Sequence, residues 1–177
     1  MIIGISGKRG VGKTTAAKYL EKHHGFVRIS FADELRRLAR MLFPFTEADM
    51  SDVKKKEAKF LDYDWSPRDF HVNFGEFMRF HDKDYWCDKA LEKIKTGKNY
   101  VIDDMRFENE YQAILDRKGI VVRINRYEKN NPFGKNLDII SETALDSSKF
   151  DFVVEDCRNT TLGRLHEEME HIIEGLV

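Results

Sequence analysis

Apolar positions along this chain recur with two different periods. Met1 to Ser6 is a nearly continuous apolar run broken only by Gly4, and it predicts a short buried strand. From Thr14 to His24, Ala16, Ala17 and Leu20 fall on one helical face, and Gly25 ends the helix. Phe26 to Phe31 predicts a second strand. Across Ala32 to Phe43, the residues Leu35, Leu38, Ala39 and Leu42 repeat at helical spacing, with Pro44 closing the segment. Residues 45–66 are polar and irregular, with weak helical character. Ser66-Pro67 is an N-cap followed by proline at the first helical position, and predicts helices over 67–80 and 84–96.

The second half alternates more plainly. Tyr100 to Asp103 predicts a strand. Phe107 to Arg117 predicts a helix with Tyr111, Ile114 and Leu115 as its apolar stripe. Ile120 to Ile124 is apolar almost throughout, as a strand covered on both faces would be. A polar loop over 127–138, a strand over Phe152 to Val154 and a helix over Thr160 to Ile173 complete the order. Strands alternating with helices predict a parallel sheet of about five strands flanked by helices, a three-layer α/β fold. In such sheets ligands bind beyond the carboxyl ends of the strands.

Composition narrows the class. The chain has 177 residues, a length that predicts a single domain spanning 1–177. With 41% hydrophobic and 34% charged residues, a soluble globular protein is expected. A formal net charge of −1 gives no global attraction to nucleic acid or anionic membrane. Lys54-Lys55-Lys56 reads first as a solvated helix face. Cys87 and Cys157 form no CxxC pair and suit packing in a reducing cytoplasm. No apolar run is long enough to span a bilayer, and Met1 to Ile5 is far shorter than a signal-peptide core.

Gly7-Lys8-Arg9-Gly10-Val11-Gly12-Lys13-Thr14 fits G-x-x-x-x-G-K-[ST], and Thr15 follows it. Glycines let the backbone curl so that successive N–H groups face one concavity, where phosphate oxygens accept them. The helix that opens there adds its positive end. Lys13 then reaches the β- and γ-phosphates, and the Thr14 hydroxyl can ligate Mg²⁺. The motif follows a strand and opens a helix, as its mechanism requires. The expectation is therefore a P-loop NTPase fold that uses ATP and Mg²⁺.

A switch GTPase would need an N/T-K-x-D segment, and the sequence has none. A kinase needs an acceptor pocket between the first and third strands. Residues from about 32 to 96 occupy that place and include Arg36, Arg37, Arg40, Arg68 and Arg79.

At this point the sequence resembles the bacteriophage-type deoxynucleoside monophosphate kinases. The likeness runs through the P-loop, then Ser30-Phe31-Ala32-Asp33-Glu34-Leu35-Arg36, then Ser66-Pro67-Arg68 to Phe74-Gly75, Arg79 and Asp84-Tyr85-Trp86. It continues in Ile102-Asp103-Asp104-Met105-Arg106-Phe107-Glu108-Asn109-Glu110, Ile124-Asn125-Arg126, Ser141-Glu142 and Asn159-Thr160-Thr161-Leu162. The resemblance implies phosphorylation of a (deoxy)nucleoside monophosphate by ATP, with a helical acceptor insertion and a lid loop at about 126–138. The chain departs from the family at Glu34, where proline is frequent, and at Ile139, where histidine is common. It departs also at Val72, where glutamine is common; that amide could read a base, and here His71 and Asn73 stand beside it.

Individual roles follow. Asp104, just past a strand, is expected to hold Mg²⁺ or its waters, with Asp103 the alternative and a helix cap the plainer reading. Arg106 is expected on the acceptor or the transferred phosphate, and Glu110, one turn on, orients it. Arg126, at the root of the lid, brings a cation to the transferred group, and Arg123 is a weaker candidate. Asp33, Arg36, Arg68, Arg79 and Trp86 are expected around the acceptor, Trp86 either stacking on the base or packing in the core. Other readings are a kinase for another small phosphorylated metabolite or a modified DNA base, or a non-catalytic nucleotide-binding regulatory protein. A homodimer is compatible with the sequence.

Overall fold

The computed structural model describes residues 1–125, 143–155 and 162–176. The chain divides into two compact units, Met1–Ser30 with Ile94–Val177, and Phe31–Lys93.

The first unit is built on five parallel strands. They are β1 (Ile2–Ser6), β2 (Val27–Ile29), β3 (Tyr100–Met105), β4 (Ile120–Asn125) and β5 (Phe152–Glu155), in the order β2-β3-β1-β4-β5. β1 lies at the centre because it is apolar on both faces: all five of its residues are buried. Ile3 and Ile5 point to one face, where they join Val101, Val122 and Ile124. That face is covered by Ala16, Ala17 and Leu20 of helix α1 (Lys13–His24) and by Met169 and Ile172 of the last helix (Leu162–Glu174). The opposite face is closed in part by the helix Glu108–Leu115. A Cβ on Gly4 would sit 3.2 Å from its Ile114 Cγ1. Sheet between helices is the expected three-layer P-loop arrangement.

The second unit is helical. It holds α2 (Asp33–Leu42), α3 (Glu47–Ser51), α4 (Val53–Glu57), α5 (Pro67–His81) and α6 (Tyr85–Leu91). In chain order the helices Glu108–Leu115 and Leu162–Glu174 are then α7 and α8. Ser66 caps α5 as its sequence predicts, in a reciprocal box with Asp69 and with Pro67 at the first helical turn. Two details differ from the sequence reading. Leu42 is exposed, because it is the last residue of α2 and the chain turns extended at Phe43. The helix expected over 84–96 stops at Leu91.

Residues 45–66 are more ordered than their polarity suggests. Phe45 and Phe60 are buried, with ring centroids 4.5 Å apart, and Trp65 stacks on Tyr63 at 4.7 Å. Phe43 packs edge-on against both Trp65 and Phe70 at 5.0 Å. This aromatic cluster gives the unit a core of its own, with Ala39 and Met50. Its rings come from loops and short helices at irregular spacing, so no periodicity announces them.

Candidate functional site

The loop after β1 carries three glycines with positive φ: Gly7 at 146°, Gly10 at 82° and Gly12 at 107°. L-residues with a Cβ rarely adopt these angles, and they are the conformations from which a phosphate-binding nest is made. A Cβ on Gly7 would collide with the carbonyl oxygen of Ile124 and lie 2.9 Å from Val11 Cγ2. The Val11 side chain faces inward and belongs to the main core, so it anchors the loop from beneath. Lys13 is buried at 8% exposure, and its ammonium donates to the carbonyls of Gly7 (2.5 Å) and Lys8 (2.8 Å). The cation is thereby held over the loop's hollow. Thr14 is exposed in the first turn of α1, Thr15 is half-buried, and Lys8 and Arg9 are half-buried on the loop itself.

The end of β3 lies beside this loop. Register puts Ser6 next to Met105, so Asp103 and Asp104 fall level with the point where β1 gives way to the P-loop. Asp103 is buried and Asp104 half-buried. The Ser30 hydroxyl at the end of β2 donates to Asp104 and fixes its orientation. Arg106 is half-buried. Glu110 accepts from the amide N–H groups of Arg106 (2.7 Å) and Phe107 (3.0 Å). It thus fixes the backbone that carries Arg106 at the entry to α7, where Phe107 is the N-cap.

Arg123 on β4 is tied into the frame. It donates to the Ser6 hydroxyl (3.1 Å), to Asp146 and to Asn125 Oδ1 (3.2 Å), and its guanidinium lies 5.7 Å from the Phe150 ring centroid. Buried at 8% exposure, it braces the residue just before the P-loop, where sequence spacing suggested a weaker lid cation. Ser30 entered the sequence reading only within the resemblance and Arg123 only as a weaker lid cation; that each positions a neighbouring strand's side chain is seen in the fold alone.

The expected acceptor residues lie in the second unit. Asp33 accepts from Arg36 (2.9 Å) and pairs with Lys93 (3.4 Å). Arg68, on the first turn of α5, approaches Glu57 at 3.8 Å. Arg79 is half-buried near the end of α5, close to Gly75, where a Cβ would lie 3.1 Å from Leu35 Cδ1. Trp86 is 2% exposed, and its indole N–H donates to the Gly75 carbonyl (3.1 Å). Of its two readings, the buried ring takes the packing one and leaves no open face for a base. Arg37 and Arg40 pair with Glu34 and Glu47 on the surface. Cys87 is buried. Arg126, the lid 126–138, Ile139, Ser141, Glu142, Cys157 and Asn159-Thr160-Thr161 lie outside the described residues.

These groups suit a nucleotide with Mg²⁺. The glycine hollow and the buried Lys13 ammonium match phosphate oxygens. Mg²⁺ keeps most of its waters and takes one or two protein oxygens beside the phosphates. The Thr14 hydroxyl and the Asp103–Asp104 pair supply such oxygens. Among the described residues no group of three His, Cys, Asp or Glu side chains forms a cage for a tighter metal. No described helix is long and apolar enough to cross a membrane.

A family model described as an AAA domain matches residues 3–129, well over half the chain. The chain belongs to this AAA domain family. The match covers the P-loop, the helical unit and the strand-end aspartates together. The AAA domain chain is also 28% identical, over 145 residues, to a protein of Acanthamoeba polyphaga mimivirus named "Putative deoxynucleotide monophosphate kinase". That alignment covers 71% of this chain and 74% of the relative. Among solved structures it resembles a dephospho-CoA kinase from Campylobacter jejuni. The TM-score is 0.52 and the identity 15%, covering 99% of this chain and 96% of the other. At that identity the likeness supports the fold.

Proposed function

We propose that this AAA domain protein transfers the γ-phosphoryl group of ATP to a (deoxy)nucleoside monophosphate. The observation that carries the reading is the buried Lys13 ammonium, held over a hollow of three positive-φ glycines. The acceptor class is supported by the resemblance across the helical unit and by the name of the mimivirus relative.

Phosphoryl transfer needs positioning and charge stabilisation more than covalent help. Gly7 to Thr15 bind the ATP phosphates through amides, hydroxyls and the Lys13 ammonium. Bound Mg²⁺ would neutralise phosphate charge. Thr14 and Asp104 would hold that ion or its waters, with Asp104 oriented by Ser30. Arg106, on a backbone fixed by Glu110, pairs with acceptor or transferred phosphate. In the second unit Arg68, Arg36 and Arg79 supply cations for the acceptor's phosphate, and Asp33 accepts from its sugar. Arg126 carries the lid's cation by its sequence position alone.

The test is a panel of ribo- and deoxynucleoside monophosphates with ATP and Mg²⁺, scored for diphosphate. Turnover of at least one of them supports the proposal. ATP hydrolysis without transfer to any panel member overturns it, and transfer only to another phosphorylated metabolite replaces the acceptor class.

A further inference from the structure

One side chain in the helical unit has hydrogen-bonding capacity that the protein does not use. His71 lies on α5, one turn beyond its Ser66 cap. Both ring nitrogens are shut off from solvent, and among the described residues neither Nδ1 nor Nε2 has a hydrogen-bond partner. Its ring lies 6.1 Å from Phe45 and 6.3 Å from Phe70, between centroids. Buried polar groups are nearly always paired, and one left unpaired costs stability that an apolar residue of the same size would recover. A fold that keeps an unpaired imidazole beside its aromatic core keeps it at a loss, which a ligand would repay.

We propose that His71 is a specificity-determining residue of the acceptor pocket, whose ring nitrogens hydrogen-bond to the base of the incoming nucleotide. This rests on the kinase reading above.

The chemistry favours a base over a phosphate. Burial first, then the positive charges of Lys56 and Arg36, push the imidazole pKa down to about 4. At neutral pH the ring therefore carries one N–H donor and one lone pair. A phosphate dianion offers acceptors only and leaves the lone pair unmatched. A nucleobase edge offers donors and acceptors together, which matches the one N–H and one lone pair of the neutral ring. Val72, beside it in sequence, is apolar and 41% exposed, with no amide to do this work.

The test runs wild type, His71→Leu and His71→Gln through the nucleoside monophosphate panel, with KM measured for acceptor and for ATP. Leucine removes both nitrogens at similar volume, and glutamine returns a donor and an acceptor. His71→Leu is expected to raise KM for the best acceptor about 10-fold or more, the size of one lost hydrogen bond. Discrimination between bases should flatten, KM for ATP should stay the same, and glutamine should recover part of the preference. In parallel, the His71 ring ¹⁵N shifts of the wild type are followed as the best acceptor is added without ATP. Movement with the nucleoside monophosphate and none with inorganic phosphate supports the base contact. Equal movement with phosphate alone, or static shifts, overturns it whether or not the variants fold. An active wild type with unchanged base preference in His71→Leu overturns this inference and leaves the kinase reading standing. A wild type that phosphorylates no panel member overturns both.

Discussion

A Cβ built on Gly7 would collide with the carbonyl oxygen of Ile124, so the two residues approach more closely than a side chain at position 7 allows. β4 thus presses on the first residue of the phosphate loop and holds its curl. Gly7→Ala meets a backbone atom and an unfavourable φ together. It should cost more than about 1 kcal/mol in urea melts and weaken ATP binding by calorimetry. Gly25→Ala is the control. Its φ of 66° is also left-handed, but nothing lies within 4 Å of the added carbon. It should cost about 1–2 kcal/mol and leave ATP affinity alone. Equal effects of both variants on ATP binding would mean that the contact with Ile124 is incidental.

Lys13→Ala should cut turnover by at least about 10²-fold, the scale of one lost electrostatic stabiliser. Far-ultraviolet circular dichroism should stay native, since the ammonium's bonds to Gly7 and Lys8 are made within the loop. Near-normal turnover in the folded variant would remove the phosphate-cradle assignment.

Arg68→Ala should raise KM for the acceptor far more than KM for ATP. Its ion pair with Glu57, 3.8 Å away, is worth under about 1 kcal/mol. A parallel rise in both KM values would show that Arg68 only supports the fold.

The buried imidazole makes stability depend on pH in a defined window. His71 titrates near 4 when folded and near its ordinary 6.5 when unfolded. Between those values the unfolded chain binds the extra proton, so stability is complete above pH 6.5 and falls as pH drops toward 4. The loss is on the order of 3 kcal/mol at most. His71→Leu lacks this term, so its Tm advantage over wild type should widen as pH falls from 7 to 4.5. A constant gap would mean that the ring is protonated in the fold.

The P-loop was legible because its chemistry is local: glycines, lysine and threonine are adjacent in sequence, and the apolar run before them sets their strand. The parallel sheet flanked by helices followed from the alternation of strands and helices for the same reason, while the strand order did not. Ser30 on Asp104, and Arg123 on Ser6, were not legible, because each bond joins residues from different strands and no spacing encodes it. The aromatic cluster of Phe43, Phe45, Phe60 and Trp65 was hidden likewise, and its loop segments read as polar and irregular. Trp86 was read both ways, since a ring's burial is a tertiary fact.

The central strand also governs how the protein comes to be assembled. Ile2 pairs with Tyr100 on one side, and Ile3 with Ile120 on the other. During synthesis, at roughly 5–20 residues per second, β1 therefore waits several seconds with no neighbour in the sheet. Throughout that wait the most apolar segment of the nucleotide-binding half is unpaired, while Phe31–Lys93 emerges with an aromatic core already its own. A nascent chain of this design is most vulnerable to aggregation through β1, and safest once β3 and β4 have both left the ribosome.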